Sequence, residues 1–240
     1  MSSPAERRAG LEALTAEIVA CRRCPRLVEW RERVAREKVA RFRSDTYWGR
    51  PVPGFGDPAA SILFVGLAPA AHGGNRTGRV FTGDASGDFL FAAMHAVGLA
   101  NQAVSRAPDD GLRLLGAYVA AAVRCAPPAN KPLPSERDNC APFLARELAL
   151  LPDVRVLVAL GAYGWEAALR AVADVAGPDA VPRPRPKFGH GAEARVGPYT
   201  LIGTYHPSQQ NTFTGKLTRP MLETVLARSR EIAAGQISGR

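Results

Sequence analysis

Apolar runs and amphipathic segments alternate along the chain, and their order predicts an α/β protein. Strands that are apolar on both faces and alternate with helices form parallel sheets covered by helices on both sides. Four such strands are predicted at 61–66, 116–123, 154–161 and 199–205. Helices are predicted at 10–24, 27–42, 86–97, 162–175 and 219–233, with one more that carries Cys140 and ends near Leu151. Residues 51–58 and 177–197 are predicted to be irregular, and the tail 235–240 is expected to be frayed.

Three unusual segments follow the carboxyl ends of predicted strands. They cover residues 67–84, 124–131 and 206–218, and they are rich in glycine, proline and polar side chains. In open parallel sheets, ligands bind beyond the carboxyl ends of the strands. We therefore expect one functional site to form where these three segments meet.

Composition narrows the class of protein. A length of 240 residues suits one domain or at most two small ones. No apolar run reaches the roughly 20 residues that cross a bilayer, and the first residues do not resemble a secretory signal, so we expect a cytoplasmic protein without a membrane partner. The formal net charge of +9 favours a polyanionic partner, with nucleic acid first. Charge alone is equally consistent with a basic surface that has no partner.

Four cysteines stand in a chain expected to be cytosolic, where structural disulfides are rare. Cys21 and Cys24 form a C-x-x-C pair, which can present two thiolates to one metal, and Cys125 and Cys140 follow much later. Four thiolates fit either Zn²⁺ or an iron–sulfur cluster, and the spacing does not separate the two. The alternative is a redox-active C-x-x-C pair with two buried core cysteines.

The segment after the first strand superficially resembles a phosphate-binding loop. Gly73 and Gly78 have the required spacing, but Arg79 and Val80 stand where that motif needs lysine and then serine or threonine. A nucleotide triphosphatase is therefore disfavoured. The glycines still allow backbone N–H groups to approach a ligand closely, so a phosphate-binding enzyme stays open as a lesser hypothesis.

Three side chains in these loops are candidates for chemistry. Phe81 either anchors its loop on the core or offers a platform on which a planar base stacks. Asn75 either orients a water molecule or holds a turn. His206 follows the last predicted strand and precedes a proline, which is a better setting for a functional histidine than most, although a lone histidine is usually structural.

Taken together, these segments resemble the uracil-DNA glycosylase superfamily, and most closely its family 5, the type B iron–sulfur enzymes. The resemblance extends from about Cys21 to Leu222, and the four cysteines match that family's [4Fe–4S] pattern. Its carriers are Gly66-Leu67-Ala68-Pro69-Ala70, Gly78-Arg79-Val80-Phe81-Thr82-Gly83, Arg124-Cys125-Ala126-Pro127-Pro128 and His206-Pro207-Ser208.

The resemblance implies a fold and an activity. The fold would be a three-layer α/β/α sandwich with a central four-stranded parallel sheet, as one domain spanning residues 1–240. The activity would be that of a base-excision-repair DNA glycosylase, which flips uracil, hypoxanthine or another deaminated base out of double-stranded DNA and hydrolyses its N-glycosidic bond. We expect a monomer. The alternative is a DNA-damage-binding protein that has lost catalysis.

The resemblance also implies residue roles. Cys21, Cys24, Cys125 and Cys140 would hold a [4Fe–4S] cluster, Phe81 would stack on the base, and His206 would donate to a base carbonyl. Backbone N–H groups near Leu67 and Ala68 would help His206 stabilise the departing base as an anion, and Asn75 is the candidate for orienting water.

Two positions depart from other families of the superfamily. Families 1 and 4 carry an acidic residue that orients water at the position of Ala68, whereas family 5 members have alanine there, as this chain does. Ala121 stands where family 4 places an asparagine that reads the pyrimidine edge. Both differences predict a roomier base pocket with weaker activation of water.

Overall fold

The computed structural model describes residues 3–235 and contains one mixed sheet between two layers of helices. The strands are β1 (Phe55–Gly56), β2 (Ile62–Gly66), β3 (Ala117–Ala121), β4 (Val156–Leu160), β5 (Glu193–Val196) and β6 (Tyr199–Thr204). The helices are α1 (Pro4–Ala20), α2 (Pro25–Glu37), α3 (Gly74–Thr77), α4 (Ala85–Ala96), α5 (Pro134–Leu150), α6 (Ala162–Ala176), α7 (Gln209–Phe213) and α8 (Arg219–Gly235). The predicted frayed tail lies outside the described residues, apart from Gly235 at the end of α8.

The sheet has the strand order β1-β3-β2-β4-β6-β5. Its four central strands are parallel, which confirms the predicted core. The prediction of only four strands is wrong for the whole sheet, because β1 and β5 add antiparallel edges. β1 is two residues long and two of the four residues of β5 are charged, so neither gives the apolar run by which a central strand is recognised.

The central strands are buried on both faces, as their continuous apolar sequences predict. Ile62 and Phe64 of β2 belong to the core under α4 and α8, whereas the alternating Leu63 and Val65 belong to the core under α5 and α6. Helix α1 packs outside α5. The molecule is therefore the predicted three-layer sandwich. Within residues 3–235, no helix is long and apolar enough to cross a membrane.

The junction between α1 and α2 places the C-x-x-C pair. Helix α1 starts at Pro4, earlier than predicted, because Ser3 and Glu6 form a reciprocal capping box in a first turn that carries no apolar signal. It ends before Cys21, and α2 begins at Pro25, directly after Cys24. The two cysteines therefore lie in a short extended link between two helices.

Candidate active site

The carboxyl end of the sheet brings Phe81 and His206 together. Their ring centroids are 5.8 Å apart, with the planes tilted by 35°. Phe81 packs directly over the end of β2, where a Cβ on Gly66 would come within 2.9 Å of its ring. Ala121 lies beside Gly66 in the β2–β3 register and is buried. Two of the predicted site residues thus form one aromatic corner above the strand ends, with the small side chain of Ala121 nearby.

A buried network fixes the backbone that carries Phe81. Phe81 has a φ of +51°, a left-handed conformation that a bulky residue rarely adopts. On one side of it, the buried Arg79 donates from Nε to Thr82 Oγ1 at 2.9 Å and from Nη2 to Asp110 Oδ2 at 2.7 Å. Thr82 also shares a 2.6 Å hydrogen bond with Ser105. The ring therefore has little freedom to move away from His206.

The environment of His206 keeps its imidazole neutral. Burial lowers the pKa of His206 to about 4, so the ring is uncharged at neutral pH and offers one N–H donor. Asn211 donates from Nδ2 to the His206 carbonyl oxygen at 2.9 Å and ties the following loop to this position. The imidazole is therefore suited to donating one hydrogen bond to a ligand while it stays uncharged.

The backbone after β2 supplies further donors. The carbonyl oxygens of Gly66 and Leu67 accept from Ala122 and Val123 at 2.9 Å each, which continues the strand pairing. The N–H groups of Leu67 and Ala68 donate to no backbone carbonyl within residues 3–235. These amides lie near the end of the strand that carries Gly66, where an anionic ligand would be stabilised.

Asn75 lies in α3, within the glycine-rich loop. It is fully buried, and its Nδ2 donates to the carbonyl oxygens of Arg31 at 3.2 Å and Ala71 at 3.4 Å, which links α2 to the glycine-rich loop. Its Oδ1 has no hydrogen-bond partner in the described part of the chain. The predicted role of Asn75 in orienting water stays a prediction.

Asp84 is a candidate that sequence analysis did not single out, because an aspartate directly before a helix is usually its N-cap. Asp84 does cap α4, accepting from the Gly87 N–H at 2.9 Å, but it also lines an open cleft between the three loop segments. Burial raises the pKa of its carboxyl group. A Cβ at Gly73 would lie 1.9 Å from Asp84 Oδ2, so only glycine fits there. The glycine-rich loop thus makes room for a carboxylate.

Asn130 is a second polar residue of this cleft that sequence reasoning missed. Ala129 and Asn130 have φ values of +52° and +56°, so two consecutive residues are left-handed. Asparagine tolerates this conformation, and alanine does not favour it. The paired prolines before these residues signal a turn, but no sequence signal shows that the turn opens into the cleft.

The four cysteines converge on one small cavity, and Ala68 packs against this cluster. All four are free thiols, and Cys24, Cys125 and Cys140 are buried together with Leu27 and Val123. Within residues 3–235, no three cysteine, histidine or acidic side chains are already arranged as metal ligands.

Hydrogen-bond donors surround the sulfur atoms. Arg31 donates from Nη1 to Cys125 Sγ at 2.9 Å, and Asn139 donates from Nδ2 to Cys24 Sγ at 3.4 Å. Burial raises the pKa of the Cys125 thiol to about 12 and also raises the pKa of Cys140. The donor set fits a thiolate-bound metal or cluster, since N–H groups aimed at sulfur stabilise its negative charge.

Comparison with known proteins agrees with this geometry. Residues 53–229 match the model of the uracil DNA glycosylase superfamily. The chain is 52% identical over 223 residues to a type-5 uracil-DNA glycosylase of Thermus thermophilus, covering 92% of this chain and 98% of that protein. It is 51% identical over 222 residues to the type-5 enzyme of Mycobacterium tuberculosis, covering 92% and 81%.

The similarity extends to a more distant relative. A type-5 uracil-DNA glycosylase of Pyrobaculum aerophilum is 44% identical over 212 residues, covering 88% of each chain. The family match, residues 53–229, spans the whole sheet and the aromatic corner. The chain therefore belongs to the uracil-DNA glycosylase superfamily, and it is a DNA glycosylase of the type-5 group.

Proposed function

We propose that this DNA glycosylase acts as a single-domain monomer on double-stranded DNA and removes both uracil and hypoxanthine. The observation that carries the proposal is the aromatic corner, in which Phe81 faces a neutral His206 at the ends of parallel strands. A base must leave the helix to reach such a corner, because its glycosidic bond is inaccessible within the stack.

The corner supplies what an anionic leaving group needs. A flipped base would stack on Phe81 while His206 donates to a carbonyl of the base. As the glycosidic bond breaks, the sugar gains oxocarbenium character and the base departs with the bonding electrons. The amides of Leu67 and Ala68 would stabilise that charge together with His206. Only a methyl group stands at Ala121, beside Gly66, so no amide side chain there selects the pyrimidine edge, and we propose that a purine such as hypoxanthine is also accepted.

Water completes the hydrolysis by adding to the sugar carbon. Two carboxylates, Asp84 and Asp88, line the cleft, and we propose that Asp84 holds this water, with the unpartnered Oδ1 of the buried Asn75 as a further acceptor. A base that departs as a well-stabilised anion needs only weak activation of water. Asp84 would thus supply a carboxylate in a chain that has Ala68 where other families have an acidic residue.

A [4Fe–4S] cluster bound by Cys21, Cys24, Cys125 and Cys140 completes the proposed enzyme. When bound, its iron would neutralise the four thiolates and cross-link the α1–α2 junction to the end of β3 and to α5. Arg31 and Asn139 would remain as donors to the sulfurs. The role is structural, and no step of the proposed reaction passes through the iron.

The loop after His206 offers a wedge that would replace the flipped nucleotide in the stack. Phe213, at the end of α7, is 79% exposed. Its neighbours Asn211 and Thr212 use their side chains on backbone carbonyls of their own loop. Apolar wedges that enter from the minor groove are a common way to open a base step. We propose that Phe213 is this wedge.

One assay tests the proposed function. Duplexes with a single uracil or hypoxanthine are incubated with the protein, and abasic sites are then cleaved with alkali. Strand breaks with both bases are expected, and breaks with uracil alone would remove hypoxanthine from the proposal. Binding without breaks would favour the damage-binding alternative. Visible absorbance of the purified protein would identify an iron–sulfur cluster, and a colourless zinc protein would contradict it.

A further inference from the structure

Residues 182–187 alternate proline with a basic residue in the order Pro-Arg-Pro-Arg-Pro-Lys. We call this segment the basic strap. Arg183, Arg185 and Lys187 are all exposed. The prolines restrict φ and cannot donate hydrogen bonds, so the strap is stiff and belongs to no strand or helix. It therefore holds three cations outward at a low entropic cost.

The end of the strap is attached to the core. Trp165 of α6 is fully buried and donates from Nε1 to the carbonyl oxygen of Pro186 at 2.9 Å. Phe188, directly after the strap, packs edge-on against Trp165 and Tyr205, with ring centroids 6.0 and 6.4 Å apart. Because Tyr205 precedes His206, the strap is fixed relative to the base site.

Contacts with α6 place the strap near the carboxyl ends of the central strands, where the base site lies. Arg185 lies beside Glu166, with an Nη2–Oε2 distance of 3.6 Å. Glu166 is five residues beyond Gly161, a helical rise of about 7.5 Å. A Cβ on Gly161 would lie only 3.2 Å from the Cβ of His206. Arg185 thus stands a short distance to the side of the base site, on the α6 side of the sandwich.

The charges of the strap are not used by the fold. Arg183 and Lys187 form no ion pair within residues 3–235, and the pair between Arg185 and Glu166 joins two side chains that are more than half exposed. Exposed pairs of this kind contribute little stability. Arg137 and Arg170 line the same groove as Arg183 and Arg185, but both pair with Asp138, so the strap carries the unpaired cations of this surface.

We propose that the basic strap is a second DNA-contact surface, which binds the phosphates beside the lesion while the cleft binds the flipped nucleotide. A polyanion fits three outward cations on a rigid support, and phosphate contacts fix position without reading sequence. The strap is held beside the base site, so the phosphates that it contacts would flank the lesion. The inference rests on the proposed function.

Salt dependence of DNA binding tests the strap directly. The triple variant Arg183→Gln, Arg185→Gln, Lys187→Gln keeps every proline and every anchor. Each lost phosphate contact should reduce the slope of log K against log [salt] by about 0.9. We therefore expect the slope for a 30-base-pair uracil duplex to fall by about 2 to 3, while single-turnover uracil release at saturating enzyme stays within twofold of the unaltered protein.

A matched control removes the same charge from the opposite end of the sandwich, where the central strands begin. Arg8, Arg113 and Arg195 are exposed; Arg113 precedes β3, and Arg195 pairs with the start of β6. Their triple glutamine variant should leave the slope nearly unchanged. Equal slopes for the two triple variants would overturn the inference, because net charge alone would then explain binding. Equal melting temperatures show that both variants fold.

The position of the lesion in the duplex supplies a second readout. Moving the uracil to within two base pairs of one end of the duplex removes the flanking phosphates on that side. For one of the two ends, the salt slope of the unaltered protein should then be smaller than with a central uracil, whereas the slope of the strap variant should not change. Loss of slope in both proteins alike would contradict a contact by the strap. If the unaltered protein releases no uracil at all, the proposed function fails. If it releases uracil but its DNA binding has the same salt slope as that of the strap variant, only this inference fails.

Discussion

The base site and the cysteine site are both buried, but burial acts on their chemistry in opposite ways. Burial lowers the pKa of His206 to about 4, which favours the neutral imidazole that the proposed reaction uses. Burial raises the pKa of the Cys125 thiol to about 12, which disfavours the thiolate that a metal ligand requires. The base site is therefore prepared by the chain alone, whereas the cysteine site needs a cationic occupant to offset the cost of its thiolates.

Ala68 joins the two sites. It follows β2, whose end lies under the aromatic corner, and it packs against the buried cluster that contains Cys24, Cys125 and Cys140. The amide proposed to stabilise the leaving base thus belongs to a residue supported by the cysteine site. Damage at the cysteines should reach the base site through this contact, whereas damage at the base site should leave the cysteines intact. That asymmetry can be tested by substitutions on each side.

The largest effect is expected from Cys125→Ser. Serine retains the shape of cysteine but not its soft sulfur ligand, so the variant should lose the cluster. The free energy of unfolding should then fall by more than about 5 kcal/mol, which is comparable to the stability of a typical domain. Visible absorbance and chemical unfolding measure the two losses. A variant that keeps full stability without visible absorbance would show that no cluster holds these elements together.

The next largest effect is expected from His206→Ala. Removing one donor to a developing anion typically costs about a hundredfold in rate. We expect single-turnover uracil release to fall at least tenfold, while visible absorbance and melting temperature change little. His206→Gln, which keeps an N–H donor, should recover part of the rate. Unchanged release in the alanine variant would remove His206 from catalysis.

A smaller effect is expected from Phe81→Ala, which removes the stacking platform. Stacking of a base on an aromatic ring contributes roughly 1–3 kcal/mol. The enzyme concentration that gives half-maximal uracil release should rise about tenfold, and Phe81→Tyr should restore it. If tyrosine fails as badly as alanine, the ring serves only to pack against Gly66 and the core.

The sequence was informative where a single residue type or run determines the structure, and less so where distant segments meet. The apolar runs predicted the four central strands, and the C-x-x-C pair pointed to the cysteine site. The two edge strands were not predicted, because β1 is only two residues long and two of the four residues of β5 are charged. The cleft position of Asp84 also escaped, since its cap signal is local, whereas its contact with Gly73 depends on how the loop folds back.

The same limit explains the protonation state of His206. A histidine before a proline at a strand end is visible in the sequence, but the burial that lowers its pKa comes from the surrounding fold. The left-handed backbone of Phe81 is likewise held by Arg79 and Asp110, residues that are far apart in the chain. The sequence identified these side chains, but only the packed structure shows the protonation state of His206 and the backbone conformation of Phe81.

The smallest effect is expected from pH, and it examines the base site most closely. His206 stays neutral well below its ordinary pKa, so the ratio of uracil-release rates between the unaltered protein and His206→Gln should be constant from pH 5.5 to 8. The stability of the two proteins should nevertheless diverge in acid. The unfolded state binds a proton at His206 as the pH falls below about 6.5, whereas the folded state resists until about 4.

The free energy of unfolding of the unaltered protein should therefore fall relative to His206→Gln by about 1.4 kcal/mol per pH unit between those two values, and urea unfolding at pH 7.5 and pH 5 measures the difference. An acid limb near pH 6.5 in the rate ratio, or parallel stabilities at both pH values, would mean that His206 is solvated in the folded protein. The aromatic corner would then lack the burial that separates its chemistry from that of the cysteine site.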